Sequence, residues 1–185
     1  MTVAIYPGSF DPITYGHIDI INRASEFVDK LYIGVMKNCK KNYLFSLEER
    51  KELIEYELFD NPKVEVIAYE GLLVNYMKEK NIRVIIKGLR NLRDYDYEVQ
   101  MARTNKNLYN DTETFFILSS EKYSFLSSSI VKEIYANDGN IYNYVPMHVI
   151  DAMDKKKSKN SKANIHGNKL VQSKQVNVAL QQNWH

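Results

Sequence analysis

Ile5-Tyr6-Pro7-Gly8-Ser9-Phe10-Asp11-Pro12-Ile13-Thr14-Tyr15-Gly16-His17 is the stretch from which the rest of the chain can be read. The apolar run Val3-Ala4-Ile5-Tyr6 reads as a short buried strand. Pro7, Gly8, Asp11 and Pro12 then interrupt regular structure. Thr14 is a good N-cap, and Ile18, Ile21, Ala24 and Phe27 recur with helical spacing, so a helix starts just beyond it. His17 falls in that helix's first turn. Unpaired N–H groups and the positive end of the helix dipole suit a phosphate there. Ser9 adds a hydroxyl in the turn, and His17 a ring nitrogen at the same end. The stretch therefore predicts an anion site at the carboxyl end of the first strand, where open α/β sheets keep their ligands.

Working outward, strands and helices alternate. Leu31–Met36 is a second strand, and Ser46-Leu47-Glu48-Glu49 is a capping box that opens a helix to about Leu58. Lys63–Ile67 is a third strand followed by a helix from Leu72 to Lys80. Val84-Ile85-Ile86 is a fourth, with a helix from Asp94 to about Leu108. Thr114–Leu118 is a fifth, followed by a helix from Ser128 to Ala136 that Asp138-Gly139 closes. Pro146 to Met153 forms a last short helix. Five strands separated by helices predict an α/β fold, a single doubly wound domain on a five-stranded parallel sheet.

The chain has 185 residues, which suits one domain with a real core. Its net charge of +2 hides an asymmetry. Seven of the 25 basic residues and none of the 23 acidic ones lie from Lys155 onward, leaving −5 for the part before it. The expected division is a domain over 1–154 and a basic, disordered tail over 155–185. Such a tail is either a solvated appendage or a contact for nucleic acid or acidic lipid. With Cys39 the single cysteine, no intrachain disulfide can form, which fits a reducing compartment. We see neither a signal-peptide pattern nor an apolar run long enough for a membrane span, so a cytoplasmic protein without membrane or nucleic-acid partners is expected. His17, His148, His166 and His185 make no ligand cluster, and Cys39 cannot complete a zinc site, so no protein-held metal is expected.

The unusual residues follow the strand ends. Lys40-Lys41 follows the second strand, and read alone the pair serves either a phosphate or the solvent. Lys87-Gly88-Leu89-Arg90 and then Arg93 follow the fourth, where Gly allows close backbone approach and Arg offers a planar fork for phosphate oxygens. A basic surface turn is the competing explanation. Glu98 lies on the next helix. After the fifth strand, Tyr123-Ser124-Phe125-Leu126-Ser127-Ser128-Ser129 brings three serines to a helix start, where capping needs only one. Neither G-x-G-x-x-G nor G-x-x-x-x-G-K-[ST] occurs, so dinucleotide-binding and P-loop readings lack their phosphate loops.

Gly8-Ser9-Phe10-Asp11-Pro12 with Thr14-x-Gly16-His17 resembles the motif of the (T/H)xGH nucleotidyltransferase superfamily, and its flanks resemble the bacterial phosphopantetheine adenylyltransferase family. Lys87-Gly88-Leu89-Arg90, Asp94–Glu98 and Tyr123–Ser129 resemble the same family's segments, so the resemblance spans roughly Thr2 to Met153. Two departures stand out: Ser9 replaces the commoner Thr, and Lys87 replaces the usual Arg. The resemblance implies a Rossmann-like fold and adenylyl transfer from ATP to 4′-phosphopantetheine, giving dephospho-coenzyme A and pyrophosphate. It implies catalytic roles for His17, Lys41, Ser9 and Arg90. The ATP site it implies comprises Ser9, Phe10, His17, Gly88, Leu89, Arg90, Glu98, Tyr123, Ser124, Phe125, Leu126, Ser127, Ser128 and Ser129. For the acceptor it implies Ser9, Lys41, Leu73 and Lys87, with Leu72 and Val74 helping to line an apolar groove for the pantetheine arm. Mg²⁺ with ATP, and a homohexamer, are implied as well. Two rival readings stay open. The enzyme could adenylylate or cytidylylate another phosphate such as nicotinate mononucleotide, or the chain could be a nucleotide-binding or nucleic-acid-binding module working through its basic tail.

Overall fold

The structure is a computed structural model that describes residues 1–37 and 42–159, the side chain of Arg93 excepted. Its elements run β1 (Val3–Gly8), α1 (Tyr15–Phe27), β2 (Lys30–Met36), α2 (Leu47–Glu57), β3 (Val64–Tyr69), α3 (Leu73–Glu79), β4 (Val84–Leu89), α4 (Leu92–Leu108), β5 (Glu113–Leu118) and α5 (Ser128–Ala136). A single 3₁₀ turn, Glu121–Tyr123, lies between β5 and α5. The five strands form one sheet in the order β3-β2-β1-β4-β5, and each neighbouring pair is parallel. The expected doubly wound α/β architecture is present.

Right-handed crossovers put α1 and α2 on one face, where the chain steps from β1 toward β3, and α3 and α4 on the other. Contacts between α3 and α4 agree. On the α3 side Ile5, Tyr76, Met77, Ile82 and Ile85 form a buried cluster. On the other face α1 buries Ile20, Ile21 and Ala24. Completely burying such side chains contributes about 1.5–3 kcal/mol each, which offsets the ordering of the chain.

Two strands are longer than the sequence implies, and both extensions matter. β1 continues through Pro7 and Gly8, which pair with Gly34 and Val35 of β2. On its other side β1 pairs with β4 only at Ala4–Val84 and Ile5–Ile85. Pro7 therefore sits where no ladder partner on the β4 side asks for its missing N–H. β4 runs on through Lys87, Gly88 and Leu89, which belong to the strand and not to the loop expected after it. Successive strand residues face opposite sides. Gly88 accordingly meets Ile20 of α1, where a Cβ would stand 3.0 Å from its Cγ1, while Lys87 meets Glu98 of α4. Close packing of helix on strand, as well as any approach of a ligand, calls for glycine at 88. Strands β1 and β4 are where the winding reverses, and their carboxyl ends diverge there to leave a crevice.

By its contacts the chain divides into Met1–Pro146 and the part from Met147 onward. The described portion of the second unit is a helix, α6, over 147–159. It begins where sequence places the last helix but does not stop at Met153, so Lys155, Lys156, Lys157 and Lys159 are helical rather than part of an irregular tail.

Candidate active site

A cavity of about 400 Å³ opens at the divergence of β1 and β4. Its lining comes from the β1–α1 turn, the first turns of α1, the end of β4, the start of α4 and the segment entering α5. With Asn42 and Tyr43, which also line it, these are four stretches far apart in sequence that the parallel sheet collects at one edge.

The β1–α1 turn is fixed by packing. Phe10 is 2% exposed and holds a left-handed φ of 48°. Its ring folds back over Gly8, where a Cβ would stand 2.7 Å from Phe10 Cζ. The ring also meets Tyr6 and His17 edge-on, with centroids 5.4 and 5.1 Å away. Burial, then the Glu98 carboxylate, push the Tyr6 hydroxyl well above its ordinary pKa, so it is a neutral phenol at the cavity floor.

His17 is set by a capping box. Thr14 Oγ1 accepts the His17 N–H, and Thr14 N donates to His17 Nδ1 at 3.1 Å. The Thr14 hydroxyl lies 3.0 Å from the same nitrogen. A backbone N–H cannot invert its role, so Nδ1 must offer a lone pair. The tautomer assigned by these bonds is neutral with its proton on Nε2.

Buried polar groups brace the turn from behind. Asp11, 2% exposed, accepts Leu44 N on Oδ2 and Phe45 N on Oδ1, both at 2.9 Å, and Lys132 Nζ at 2.7 Å. Arg50, 1% exposed, donates to the carbonyls of Ser9, Met36 and Ser46 and lies 4.1 Å over the Tyr43 ring. It ties the ends of β1 and β2 to the start of α2. On α1, Asp19 accepts the Ser120 N–H and hydroxyl, and Arg23 donates to Leu118 O at 2.7 Å. Partial burial alone would raise the Asp19 pKa, but the Ser120 and Arg23 donors outweigh it and hold the carboxyl below the usual range.

Cations line the opposite wall. Lys87 Nζ donates to Pro7 O at 3.4 Å, bridging the opened ladder, and lies 3.1 Å from Glu98 Oε2. That oxygen is buried and has no aligned hydrogen bond, so the contact is an ion pair only. Arg90 grips both Asp94 oxygens through Nε and Nη2 at 2.7 and 2.9 Å, and its Nη1 donates to Leu126 O at 2.9 Å. In the serine segment the work is divided. Ser127 is the N-cap of α5 and accepts the Ile130 N–H, while the Ser128 hydroxyl donates to Pro12 O at 2.8 Å, joining the two loops.

Among the residues singled out from sequence, Ser9, Phe10, His17, Lys87, Gly88, Arg90, Glu98, Tyr123, Leu126, Ser127, Ser128 and Ser129 line this cavity. Leu73 belongs to the α3-side core cluster, with Val74 buried and Leu72 exposed, and Leu89 is buried at the strand end. Ser124 donates to Glu121 O, and Phe125 is exposed with its ring edge-on to Tyr144. Lys41 lies outside the described residues. Sequence reading assigned no role to Asp11, Thr14's reciprocal bond to His17, Asp94 or Lys132. Asp11 stood in the quoted turn, but its partners are more than thirty residues away, so spacing could not reveal them.

The α/β domain with its cavity at the β1–β4 divergence is of the cytidylyltransferase-like class, whose family model matches residues 5–134. A phosphopantetheine adenylyltransferase of Clostridium tetani is 51% identical over 156 residues, covering 84% of this chain and 98% of its own length. Enzymes of the same name from Alkaliphilus metalliredigens and Thermotoga neapolitana are 50% and 49% identical, over 84% and 83% of this chain and 99% and 96% of theirs. The chain belongs to the phosphopantetheine adenylyltransferase family, a family of nucleotidyltransferases. No helix among the described residues is long and apolar enough to cross a membrane.

Proposed function

We propose that the cavity transfers the adenylyl group of ATP to the phosphate of 4′-phosphopantetheine, releasing pyrophosphate and forming dephospho-coenzyme A. The observation that carries this reading is the His17 capping box, which presents a neutral imidazole with its proton on Nε2 at a helix N-terminus in the cavity wall. An acceptor phosphate is already an anionic nucleophile and needs no general base. It attacks the α-phosphorus in line, the α–β bridging bond breaks, and the electron pair leaves on pyrophosphate. Catalysis is then positioning plus stabilisation of charge on the phosphoryl oxygens. The Nε2–H of His17 donates to the α-phosphate as that charge grows.

Ser9 and Lys41 orient the reacting phosphates. Arg90 and the N–H groups opening α5 at Ser127–Ser129 hold the triphosphate. Glu98 Oε2, buried without an aligned donor, suits a ribose hydroxyl. Lys87 takes the acceptor phosphate from across the crevice. As a lysine it supplies a point charge where arginine would supply a planar fork.

Mg²⁺ accompanying ATP belongs to the same reading. The described residues hold no cluster of three His, Cys, Asp or Glu side chains able to cage an ion, and Asp11, Asp94 and Glu98 each face a cation. The ion would arrive on phosphate oxygens, and no step here is routed through it. A cytoplasmic location and a homohexamer complete the reading. Exposed Leu92 and Tyr97 on α4, with Phe115 and Leu118 on the edge strand β5, support self-association, which sedimentation mass would measure.

The test is pyrophosphate release from ATP with and without 4′-phosphopantetheine. Release that depends on this acceptor, and not on nicotinate mononucleotide, is the expected result. Release without any acceptor, or none with it, would reject the reading.

A further inference from the structure

Adenylyl transfer in the cavity leaves one feature of the chain without a role, its carboxyl-terminal run of lysines. Lys155, Lys156, Lys157 and Lys159 lie on the last turns of α6, and Lys162, Lys169 and Lys174 follow in sequence. No Asp or Glu occurs from Lys155 to the end. None of the four helical lysines lines the cavity.

A lysine or two in the last turn of a helix is ordinary, because it meets the negative end of the dipole. Four in five residues exceed that need. Lys155 and Lys159 stand four apart on one face, a like-charge spacing that destabilises a helix. Asp151 and Asp154, one turn back, supply only two acids against the whole run. Lys155, Lys157 and Lys159 are exposed, with Lys156 half-buried between them. A solubilising surface mixes charges of both signs, whereas a block of one sign suits a partner of the other.

The same helix says which polyanion fits. Its apolar residues Val149, Ile150 and Met153 are buried. From Asp154 to Lys159 it carries no apolar side chain at all. A helix that lies in a lipid interface needs an apolar face to insert, so an acidic membrane would have charge alone to hold this one. A nucleic acid needs only charge, since release of its condensed counterions drives binding. The residues after Lys159 add Asn, Gln and Ser, whose side chains bond phosphate oxygens.

We propose that the carboxyl end of α6, with Lys162, Lys169 and Lys174, docks the phosphodiester backbone of a nucleic acid, a function separate from the transfer reaction. It replaces the sequence expectation that nucleic acid is not a partner. Contact is with phosphate, so the surface reads no base sequence.

Fluorescence anisotropy of the full-length protein with a labelled mixed-sequence duplex DNA, and with a single-stranded RNA of equal length, tests this. Dissociation constants of about 10⁻⁴–10⁻⁶ M are expected near physiological salt, weakening steeply as salt rises. The tighter of the two probes identifies duplex or single strand as the source of phosphate. Lys155→Gln, Lys156→Gln, Lys157→Gln and Lys159→Gln, combined in one variant, remove the helical charge and keep good helix formers. That variant should lose about tenfold or more in affinity, and about three from the slope of log K against log salt for the duplex. Its pyrophosphate release from ATP stays that of the unaltered protein. Three results would each overturn the proposal: binding of neither probe, affinity unchanged by the four substitutions, or displacement by excess ATP, which would put the nucleic acid in the cavity. Vesicles containing phosphatidylserine are the comparison, and binding to them as tight as to nucleic acid would make the partner an acidic membrane instead. Failure of the unaltered protein to release pyrophosphate would strike the transfer reading alone and leave this surface standing.

Discussion

Helices α1 and α2 begin with the same device and do different things with it. In α2, Ser46 accepts the Glu49 N–H and Glu49 Oε2 accepts the Ser46 N–H at 2.8 Å. In α1, Thr14 accepts the His17 N–H and His17 Nδ1 accepts the Thr14 N–H at 3.1 Å. Both satisfy two orphan donors of a helix end. A glutamate in that role offers only further acceptors and adds negative charge. A histidine spends one nitrogen on the cap and carries a proton on the other. The cap of α1 is thus also a way of aiming a donor, and α1 starts in the cavity wall. One residue at the third helical position separates a structural helix start from one that can meet a phosphate.

Swapping the two caps is the sharpest way to break this comparison. His17→Gln and His17→Glu keep an acceptor for the Thr14 N–H, whereas His17→Ala does not. Losing a preorganised donor typically costs 10²–10³ in kcat, roughly 3–4 kcal/mol. We expect His17→Glu to lose that much at saturating substrate while its melting temperature stays near that of the unaltered protein. His17→Gln, which retains an amide donor, falls between. If turnover instead tracks stability, with Ala impaired and both Gln and Glu active, His17 is a cap and nothing more.

Next in size is the wall opposite. Lys87→Ala removes a charge-assisted contact worth about 1.5–3 kcal/mol, expected as a raised KM for 4′-phosphopantetheine with the ATP KM nearly constant. Lys87→Arg should be tolerated. A matching loss for both substrates would deny the two walls separate ligands.

A further tie distinguishes α1, through Asp19 to Ser120. Asp19→Asn should lower stability by about 1.5 kcal/mol at neutral pH. Because the folded carboxyl titrates below its usual value, the advantage of Asp is complete above about pH 4 and disappears as the pH falls through that lower value. Urea unfolding of both proteins from pH 7 downward would show the two stabilities converging; a gap that persists in acid would remove the ionised carboxylate as its cause. The smallest effect belongs to α2. Ser46→Ala should cost about 1 kcal/mol and leave kcat unchanged, as unfolding and steady-state assays on one preparation would establish.

Local signals in this chain are legible because they depend on neighbours a few residues apart. Apolar period, Thr14 and Ser46 as caps, and Pro and Gly as interruptions place every strand and helix to within a few residues, except the carboxyl end of α6, which runs past Met153. The alternation alone imposes a parallel sheet, since parallel neighbours need crossovers. The motif residues Ser9, His17, Lys87, Arg90 and Ser127–Ser129 were visible for the same reason.

What sequence could not supply is everything that depends on where distant segments meet. Pro7 and Gly8 read as breakers, yet they extend β1, because the ladder with β2 continues while that with β4 has ended. Gly88 read as room for a ligand, and the contact its missing side chain makes possible is with Ile20. Asp11 meets Leu44, Phe45 and Lys132, Arg50 spans the ends of two strands, and Lys87 and Arg90 face Glu98 and Asp94. Hydrogen bonds and ion pairs act over a few ångströms and carry no period along the chain. The sequence determines which groups are present and how each helix begins; only the winding of the sheet, reversing between β1 and β4, decides which of them face one another.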